Sequence, residues 1–133
     1  MQIFITGVSG FVGANLQEYL KTYHEINPLS IRYLPSQQFD LKRDVIIHLA
    51  GKAHDLKKVS QPSDYYEANF ELTRQLFDSF LTSKASVFIF MSTVKAVADT
   101  TDRILTEDRA ANPITHYGIA KQQAEQYILS QEL

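Results

Sequence analysis

The sequence predicts an α/β fold with a doubly wound parallel sheet. Strand-like and helix-like runs alternate along the chain, a glycine-rich turn joins the first strand to the first helix, and two later runs are almost entirely apolar. Alternating strands and helices form right-handed crossovers, and strands buried on both faces of a parallel sheet read as continuous apolar runs. We expect a single domain over residues 1–133.

The first strand and its turn carry the clearest chemical signal. Residues 1–5 form a short apolar run, and residues 6–13 hold glycines in the spacing G-x-x-G-x-x-G. A helix that starts after such a turn offers free N–H groups and the positive end of its dipole to a pyrophosphate. Gly7 would permit the turn, Gly10 the approach of the phosphate, and Gly13 the packing of helix on strand. We therefore predict dinucleotide contacts at Gly7, Ser9, Gly10, Phe11, Val12 and Gly13.

The other elements follow from periodicity and from chain-breaking residues. Pro28 marks the second strand as an edge or irregular strand. Only Lys42 and Arg43 separate a short third strand from the next one, so a usual crossover helix is expected to be missing. The predicted elements are a helix over 11–23, strands over 25–34, 37–41, 44–51 and 86–91, a long helix from Pro62, and a last helix from near Thr115 to the end.

Composition narrows the function class. The chain has no cysteine, a net charge of −2 and 21% charged residues. We therefore expect neither disulfides nor thiolate metal sites, and no nucleic-acid partner. The four histidines lack a metal-ligand spacing, and the sequence shows neither an apolar run of membrane-spanning length nor a basic leader. We expect a cytoplasmic, metal-free protein without a membrane span.

A tyrosine and a lysine near the C-terminus form the second chemical signal. Tyr117 and Lys121 lie four residues apart, on one face of the last predicted helix. A lysine ammonium near a phenol lowers the phenol pKa, which allows acid or base work near neutral pH. The pair follows Thr93, at the end of an apolar strand, by 24 residues. Ligands bind at such carboxyl ends of strands, so Thr93 is the candidate catalytic hydroxyl. The structural alternatives are a solvated helix face for the pair and a strand-end cap for Thr93.

Together these motifs resemble the extended short-chain dehydrogenases/reductases, specifically the NAD(P)-dependent nucleotide-sugar epimerase/dehydratase group. Residues 6–13 are similar to that family's T-G-x-x-G-x-x-G, and residues 44–51 to its D-x-V-I-H-L-A-G strand. The further matches are Pro62, Tyr65, Tyr66 and Asn69 for P-x-x-Y-x-x-x-N, 87–93 for the V-F-V-S-S/T strand, and Glu107, Asp108, Pro113, Tyr117, Gly118 and Lys121 for E-D…P…Y-G-x-x-K. The resemblance implies a Rossmann fold that binds NAD or NADP.

The resemblance also implies roles for individual residues. Tyr117 is the general acid/base, and Lys121 binds the nicotinamide ribose and lowers the pKa of Tyr117. Thr93 hydrogen-bonds the reacting oxygen, with Ser92 as its structural partner; the alternative is a one-residue shift, which would exchange the two roles. Asn69 helps build the active site and is counted with the cofactor contacts; its structural alternative is a helix-surface amide. The remaining implied cofactor contacts are Leu49, Ala50 and Gly51.

The chain departs from the family pattern in ways that bear on the cofactor and the substrate. Ser30, followed by Arg32, stands where an acid usually binds the adenosine ribose, which favours NADP slightly over NAD. His116 stands where a proline often precedes the tyrosine. The sequence stops at Leu133, where the family continues into a substrate domain. We expect an N-terminal cofactor-binding portion that is inactive alone.

The residues after Thr93 indicate a branch of the family. Val94 and Lys95 replace the Asp-Glu of the dehydratases, which disfavours dehydration. With Lys95 and His54, the sequence resembles a bacterial polysaccharide branch of the family, which contains 4-epimerases and 4-keto reductases. The predicted function of the whole protein is therefore nucleotide-sugar 4-epimerisation. The alternatives are reduction of a 4-keto nucleotide sugar and a non-catalytic dinucleotide-binding module.

Because the sequence ends at Leu133, we also expect the chain to associate with copies of itself. The strand over 87–91 would lack its next neighbour, and uncovered apolar strands pair with other chains. Apolar helix positions Ile119, Tyr127 and Ile128 would also lie uncovered. A homodimer is the expected result, and the alternative is a monomer whose last helix covers the edge.

Overall fold

The computed structural model describes residues 1–53 and 60–131. The strands are β1 (Gln2–Thr6), β2 (Glu25–Leu29), β3 (Val45–His48) and β4 (Val87–Phe90). The α-helices are α1 (Phe11–Leu20), α2 (Pro62–Tyr66), α3 (Leu72–Leu81) and α4 (His116–Ser130). A π-helical turn (Glu67–Glu71) joins α2 to α3, and a 3₁₀ turn (Val94–Ala96) follows β4.

The four strands form one parallel sheet in the order β2-β1-β3-β4. The predicted doubly wound parallel sheet is therefore confirmed. The chain moves outward from β1 to β2 and then returns to β3 on the other side of β1. Such a reversal opens a crevice beyond the carboxyl ends of β1 and β3, where open α/β sheets bind their ligands.

β2 is an edge strand, as Pro28 predicted. Pro28 lies opposite Ile5 of β1, and the strand ends at Leu29 rather than at Leu34. A proline lacks the N–H that a central strand needs for two neighbours, so the sheet edge tolerates it.

Two apolar layers cover the sheet on opposite faces. On one face the strand residues Ile3, Ile5, Val45 and Ile47 pack against α1 through Leu16 and Leu20. On the other face a cluster gathers β3, α3 and the segment before β3; its buried members are Leu41, Ile46, Leu76, Phe77 and Phe80. This cluster is the main core of the described chain.

The predicted third strand over 37–41 is wrong. Residues 30–44 form neither a strand nor a helix. The segment instead lies along α3: the Phe39 N–H donates to Ser79 Oγ at 3.0 Å, and Gln75 Nε2 donates to the Leu34 carbonyl at 2.7 Å. Leu41 is buried in the main core. The predicted absence of a crossover helix here is confirmed, and apolar side chains of this segment cover the sheet face in its place.

The long helix predicted from Pro62 is interrupted by the π-helical turn. Pro62 begins α2, with a capping box between Gln61 and Asp64. The π-helical turn then inserts an extra residue into the helical repeat before α3 begins. Such insertions are frequent at functional sites.

The expectation that β4 is buried on both faces is wrong. Phe88 packs against the main core, but Val87 and Ile89 point to the other face and are 43% and 44% exposed. α1 covers β1 and β3 on that face and does not extend over β4. The expectation of uncovered helix positions is wrong for Tyr127 and Ile128, which pack against the main core.

Candidate functional site: a groove at the carboxyl ends of the strands

The glycine turn between β1 and α1 is held by close backbone contacts. Gly7 has φ +72°, a conformation that favours glycine, and its carbonyl accepts the Gly10 N–H at 3.1 Å. A Cβ at Gly13 would lie 2.1 Å from the Gly7 carbonyl oxygen. A Cβ at Gly10 would meet nothing nearer than 3.4 Å. Gly7 and Gly13 are thus required by the fold, whereas Gly10 has room for a side chain and leaves that room open.

The turn delivers the N-terminus of α1 to the groove. Gly10 is the N-cap and supplies no capping side chain, and the first turn carries no acidic residue. A helix leaves its first N–H groups without partners in the helix, so the amides that begin α1 remain donors for an anion. Phe11 is 86% exposed and Val12 is 50% exposed, so the core does not cover the first turn of α1.

A groove of about 920 Å³ opens beside this turn, between β1 and β3. Eight of the residues predicted as cofactor contacts line it: Gly7, Ser9, Gly10, Ser30, Arg32, Leu49, Ala50 and Gly51. Sequence reasoning missed the opposite wall, which includes Lys52, Asp64, Glu67 and Ala68. Phe11, Val12, Gly13, Asn69, Tyr117 and Lys121 do not line the groove.

Thr6 joins the glycine turn to the loop after β3. Its Oγ1 accepts the backbone N–H groups of Leu49 at 3.1 Å and Ala50 at 3.0 Å. A Cβ at Gly7 would lie 2.7 Å from the Ala50 nitrogen, so the two backbones are in direct contact. The floor of the groove is therefore built from main chain that no side chain can replace.

Asn69, in the π-helical turn, holds the far end of the same loop. Its Oδ1 accepts the Lys52 N–H at 3.0 Å, and its Nδ2 donates to the carbonyls of Lys52 at 2.9 Å and Tyr65 at 3.0 Å. A Cβ at Gly51 would lie 2.6 Å from that Oδ1. The amide is buried, so it supports the groove wall from behind and is not a helix-surface group.

The tyrosine and lysine predicted as a pair lie on the first two turns of α4. Thr115 caps this helix by accepting the Gly118 N–H on Oγ1 at 3.0 Å. A Cβ at Gly118 would lie 2.3 Å from the Lys95 carbonyl oxygen, so the start of α4 packs tightly on the 3₁₀ turn after β4. The structure thus brings the start of α4, which carries Tyr117, against the 3₁₀ turn that Thr93 caps.

Lys121 is buried at the carboxyl end of β4. Its Nζ donates to the Met91 carbonyl at 2.5 Å and lies 4.0 Å from the centre of the Phe90 ring. Burial lowers the pKa of Lys121 to about 8, and the nearby Glu125 carboxylate opposes this shift. The ammonium can therefore release its proton more easily than a surface lysine.

The two hydroxyls after β4 have different partners. Ser92 donates to the Glu125 carboxylate of α4, which commits it to a structural contact. Thr93 Oγ1 accepts the Lys95 N–H at 3.2 Å as the cap of the 3₁₀ turn, which leaves its own proton to donate. Among the described residues, no group hydrogen-bonds to the Tyr117 hydroxyl.

Three other residues singled out in the sequence have structural partners or cannot be placed. Lys95 forms an ion pair with Asp99 at 2.7 Å. His116 lies 3.3 Å from the Tyr66 hydroxyl through Nδ1, which links α2 to the start of α4. His54 lies outside the described residues.

The comparison with known families fits this geometry. The sequence profile of the NAD dependent epimerase/dehydratase family matches residues 3–132. The chain belongs to this family. The family resemblance predicted from the glycine turn, the β3 strand and the Tyr-Lys pair is confirmed.

Two relatives of this chain are enzymes that catalyse different reactions. The chain is 29% identical over 140 residues to a GDP-6-deoxy-D-mannose reductase of Pseudomonas aeruginosa, across 96% of this chain and 46% of the relative. It is also 29% identical over 152 residues to a UDP-glucose 4-epimerase of Vibrio cholerae, with the same two coverages. The chain therefore spans less than half the length of each relative.

Solved structures agree with the fold. The structure of RMD from Pseudomonas aeruginosa complexed with NADPH shares 27% identity, with a TM-score of 0.77 over 94% of this chain and 46% of that one. MoeE5 in complex with UDP-glucose and NAD shares 22% identity, with a TM-score of 0.81 over 98% of this chain and 48% of that one. At that identity the second match supports the fold alone. In the described part of the chain, every helix is too short or too polar to cross a bilayer.

Proposed function

We propose that this chain is the dinucleotide-binding portion of a nucleotide-sugar 4-epimerase. The observation that carries the proposal is the groove between β1 and β3, which joins the glycine turn and the open start of α1 to the loop after β3. Its volume of about 920 Å³ suits a dinucleotide-sized ligand. The unfilled space at Gly10 lies where the family's fold brings a pyrophosphate to the helix N-terminus.

The adenosine end of the ligand would lie beside β2. Ser30 and Arg32 line the groove there, and among the described residues Arg32 forms no ion pair. A neutral residue followed by an unpaired arginine suits a ribose 2′-phosphate, so NADP remains slightly favoured over NAD. Lys52 adds a second cation on the opposite wall.

The chemistry would take place at the end of β4. A bound nicotinamide dinucleotide accepts and returns hydride. Tyr117 would take the proton from the sugar O4 hydroxyl as its carbon becomes a ketone, and return it when the ketone is reduced. Thr93, whose proton is available, would hydrogen-bond the same oxygen. Lys121 would hold the ribose and keep a positive charge near the phenolate.

Titration of NAD(H) and NADP(H) by calorimetry tests the groove assignment, with Gly10→Asp as the informative variant. Aspartate is a preferred N-cap and suits the positive helix end, so the variant should fold at least as stably as the wild type. Its carboxylate would occupy the phosphate space, so dinucleotide binding should fall by at least tenfold. Gln126→Asp adds the same charge on the exposed face of α4 and should bind normally.

Equal binding by wild type and Gly10→Asp would refute the pyrophosphate assignment. Arg32→Ala tests the adenosine end and should weaken NADP more than NAD, whereas Arg103→Ala, exposed outside the groove, should change neither. Tighter binding of NAD than NADP by the wild type would refute the preference for NADP.

The second candidate function, reduction of a 4-keto nucleotide sugar, uses the same three residues; the reductase among the relatives favours it. An epimerase interconverts UDP-hexoses without net change at 340 nm, whereas a reductase consumes the reduced dinucleotide. In the full-length protein, Tyr117→Phe should lower either turnover by roughly 10²–10⁴-fold. If the full-length protein binds dinucleotide but shows no turnover in either assay, the non-catalytic dinucleotide-binding module is the remaining function.

A further inference from the structure

A histidine lies wholly buried at the carboxyl end of β3, beneath the proposed cofactor groove. His48 has 0% exposure. Its Nδ1 lies 2.7 Å from Thr6 Oγ1, and its Nε2 lies 2.9 Å from Thr73 Oγ1. The ring therefore bridges the last residue of β1 to the start of α3.

The neighbouring hydrogen bonds fix the direction of this bridge. Thr6 Oγ1 already accepts two backbone N–H groups, those of Leu49 and Ala50. A hydroxyl oxygen has two lone pairs, so its remaining role is to donate its proton, and the acceptor is Nδ1 of His48. The histidine proton must then be on Nε2, where it is donated to Thr73 Oγ1.

The chain of hydrogen bonds continues into the π-helical turn. Thr73 donates its own hydroxyl proton to the Asn69 carbonyl at 2.9 Å. Asn69 in turn clamps Lys52, at the far end of the loop after β3. One directed series of hydrogen bonds, which we call the His48 relay (Thr6, His48, Thr73 and the Asn69 carbonyl), thus connects both ends of that loop.

The surroundings of His48 exclude its charged form. A protonated ring would donate from both nitrogens and leave Thr6 with three donors for two lone pairs. Phe90 stacks on the ring with 5.9 Å between centroids, and Phe88 lies at 6.3 Å, so the ring has apolar surroundings that disfavour a charge. The charge that acts on the ring is the positive Lys121.

We propose that His48 is a positioning residue, which as the neutral Nε2–H tautomer fixes the Thr6 hydroxyl and thereby holds the glycine turn and the loop after β3 in the geometry that receives the dinucleotide. This inference rests on the proposed function. It predicts that loss of the relay weakens ligand binding beyond what loss of stability explains, because Leu49, Ala50 and Gly51 line the groove.

The tautomer is tested without any ligand. The ¹⁵N NMR spectrum of the full chain should show His48 protonated on Nε2 and bare on Nδ1 at pH 7. The same signals should persist to about pH 4.5. An Nδ1–H tautomer, or a His48 ring that becomes protonated on both nitrogens above about pH 4.5, would overturn the proposal.

The positioning role is tested by dinucleotide affinity under conditions where each protein is fully folded. His48→Leu removes both ring bonds and should weaken binding by about tenfold. His48→Asn retains an acceptor near the Nδ1 position and should recover most of the loss. Thr73→Val keeps the side-chain shape, removes the far half of the relay and should give an intermediate loss, which preserves the test if His48→Leu does not fold.

A core variant separates positioning from stability. Phe80→Leu loosens the main core away from the groove and should lower the stability but leave dinucleotide affinity unchanged. If His48→Leu and Thr73→Val bind as tightly as the wild type, the positioning role alone is wrong. If the wild type binds neither NAD(H) nor NADP(H), the proposed function fails and the positioning role fails with it.

Discussion

Acid should remove a defined part of the stability of this fold through His48. Burial lowers the pKa of His48 from its ordinary value of 6.5 to about 3, and the nearby Lys121 charge adds to the shift. Between these two pH values the unfolded chain binds a proton that the folded chain excludes. The contribution of His48 to folding is therefore fully present above pH 6.5 and is lost progressively as the pH falls toward 3.

The size of the effect follows from the width of that window. Each pH unit below 6.5 lowers the free energy of unfolding by about 1.4 kcal/mol, so moving from pH 7.5 to pH 4.5 costs about 2.7 kcal/mol. A domain of this length is stable by about 5–15 kcal/mol, so the loss is measurable. Carboxylates also titrate over this range, and a comparison with His48→Asn removes their common contribution.

Urea unfolding followed by circular dichroism, at several pH values, gives both curves. The wild type should be more stable than His48→Asn at pH 7.5, and the difference should shrink by about 2–3 kcal/mol at pH 4.5. Gln126→Asn, an exposed change that alters no ionisable group, serves as the control, and its difference from the wild type should stay nearly constant. A difference between the wild type and His48→Asn that is equally constant would show that His48 has the same pKa in both states, and would refute the reasoning.

Three further predictions address other parts of the fold. Gly13→Ala should lower the free energy of unfolding by at least about 1–3 kcal/mol, because its Cβ would lie 2.1 Å from the Gly7 carbonyl oxygen; an unchanged urea midpoint would contradict this contact. The pKa of Lys121 is lowered to about 8, so between pH 8 and 10 the folded chain loses a proton that the unfolded chain keeps. The wild type should therefore gain stability relative to Lys121→Met over this range, and a stability difference that does not change with pH would refute the lowered pKa. The 44% exposed Ile89 should support a dimer that Ile89→Lys dissociates in sedimentation; a wild-type monomer at high micromolar concentration would refute this expectation.

The elements that sequence reasoning predicted well are those with a strong local signal. The first strand, its glycine turn and α1 follow one another within 20 residues, and their roles depend on contacts inside that segment. Gly7 illustrates this, since a tight turn between a strand and a helix calls for a residue that accepts positive φ. The run that forms β3 was equally clear, because burial on both faces leaves it apolar except for His48 at its end.

The errors arise where a distant segment decides the outcome. Phe39 and Leu41 alternate with polar residues as a strand would, yet they pack on α3, whose Ser79 takes the Phe39 N–H that a neighbouring strand would have taken. β4 reads as a strand buried on both faces, but within the described residues only the face that bears Phe88 is covered by the core. Neither outcome leaves a trace in the local sequence pattern.

The candidate site likewise has a part that the sequence predicts and a part that it does not. The groove-lining glycines were predictable because their spacing is local, and the Tyr-Lys pair because it is one helical turn. The relay of Thr6, His48 and Thr73 was not, since its members lie 42 and 25 residues apart. The one available signal was a histidine inside an otherwise apolar strand, a residue that burial tolerates only with partners at its ring nitrogens.

The relay also explains why polar side chains collect at this end of the sheet and not in its middle. Within the strands, backbone N–H and carbonyl groups satisfy one another, and the side chains can be apolar. Beyond the carboxyl ends the ladder stops, and the N–H groups of Leu49, Ala50 and Lys52 need other acceptors, which Thr6 and Asn69 provide. Thr6 and Asn69 thus satisfy these loop donors with side chains, while the backbone of Gly7 and Gly10 lines the groove. The loop after β3 therefore ends the sheet on one strand and also lines the groove proposed to receive the cofactor.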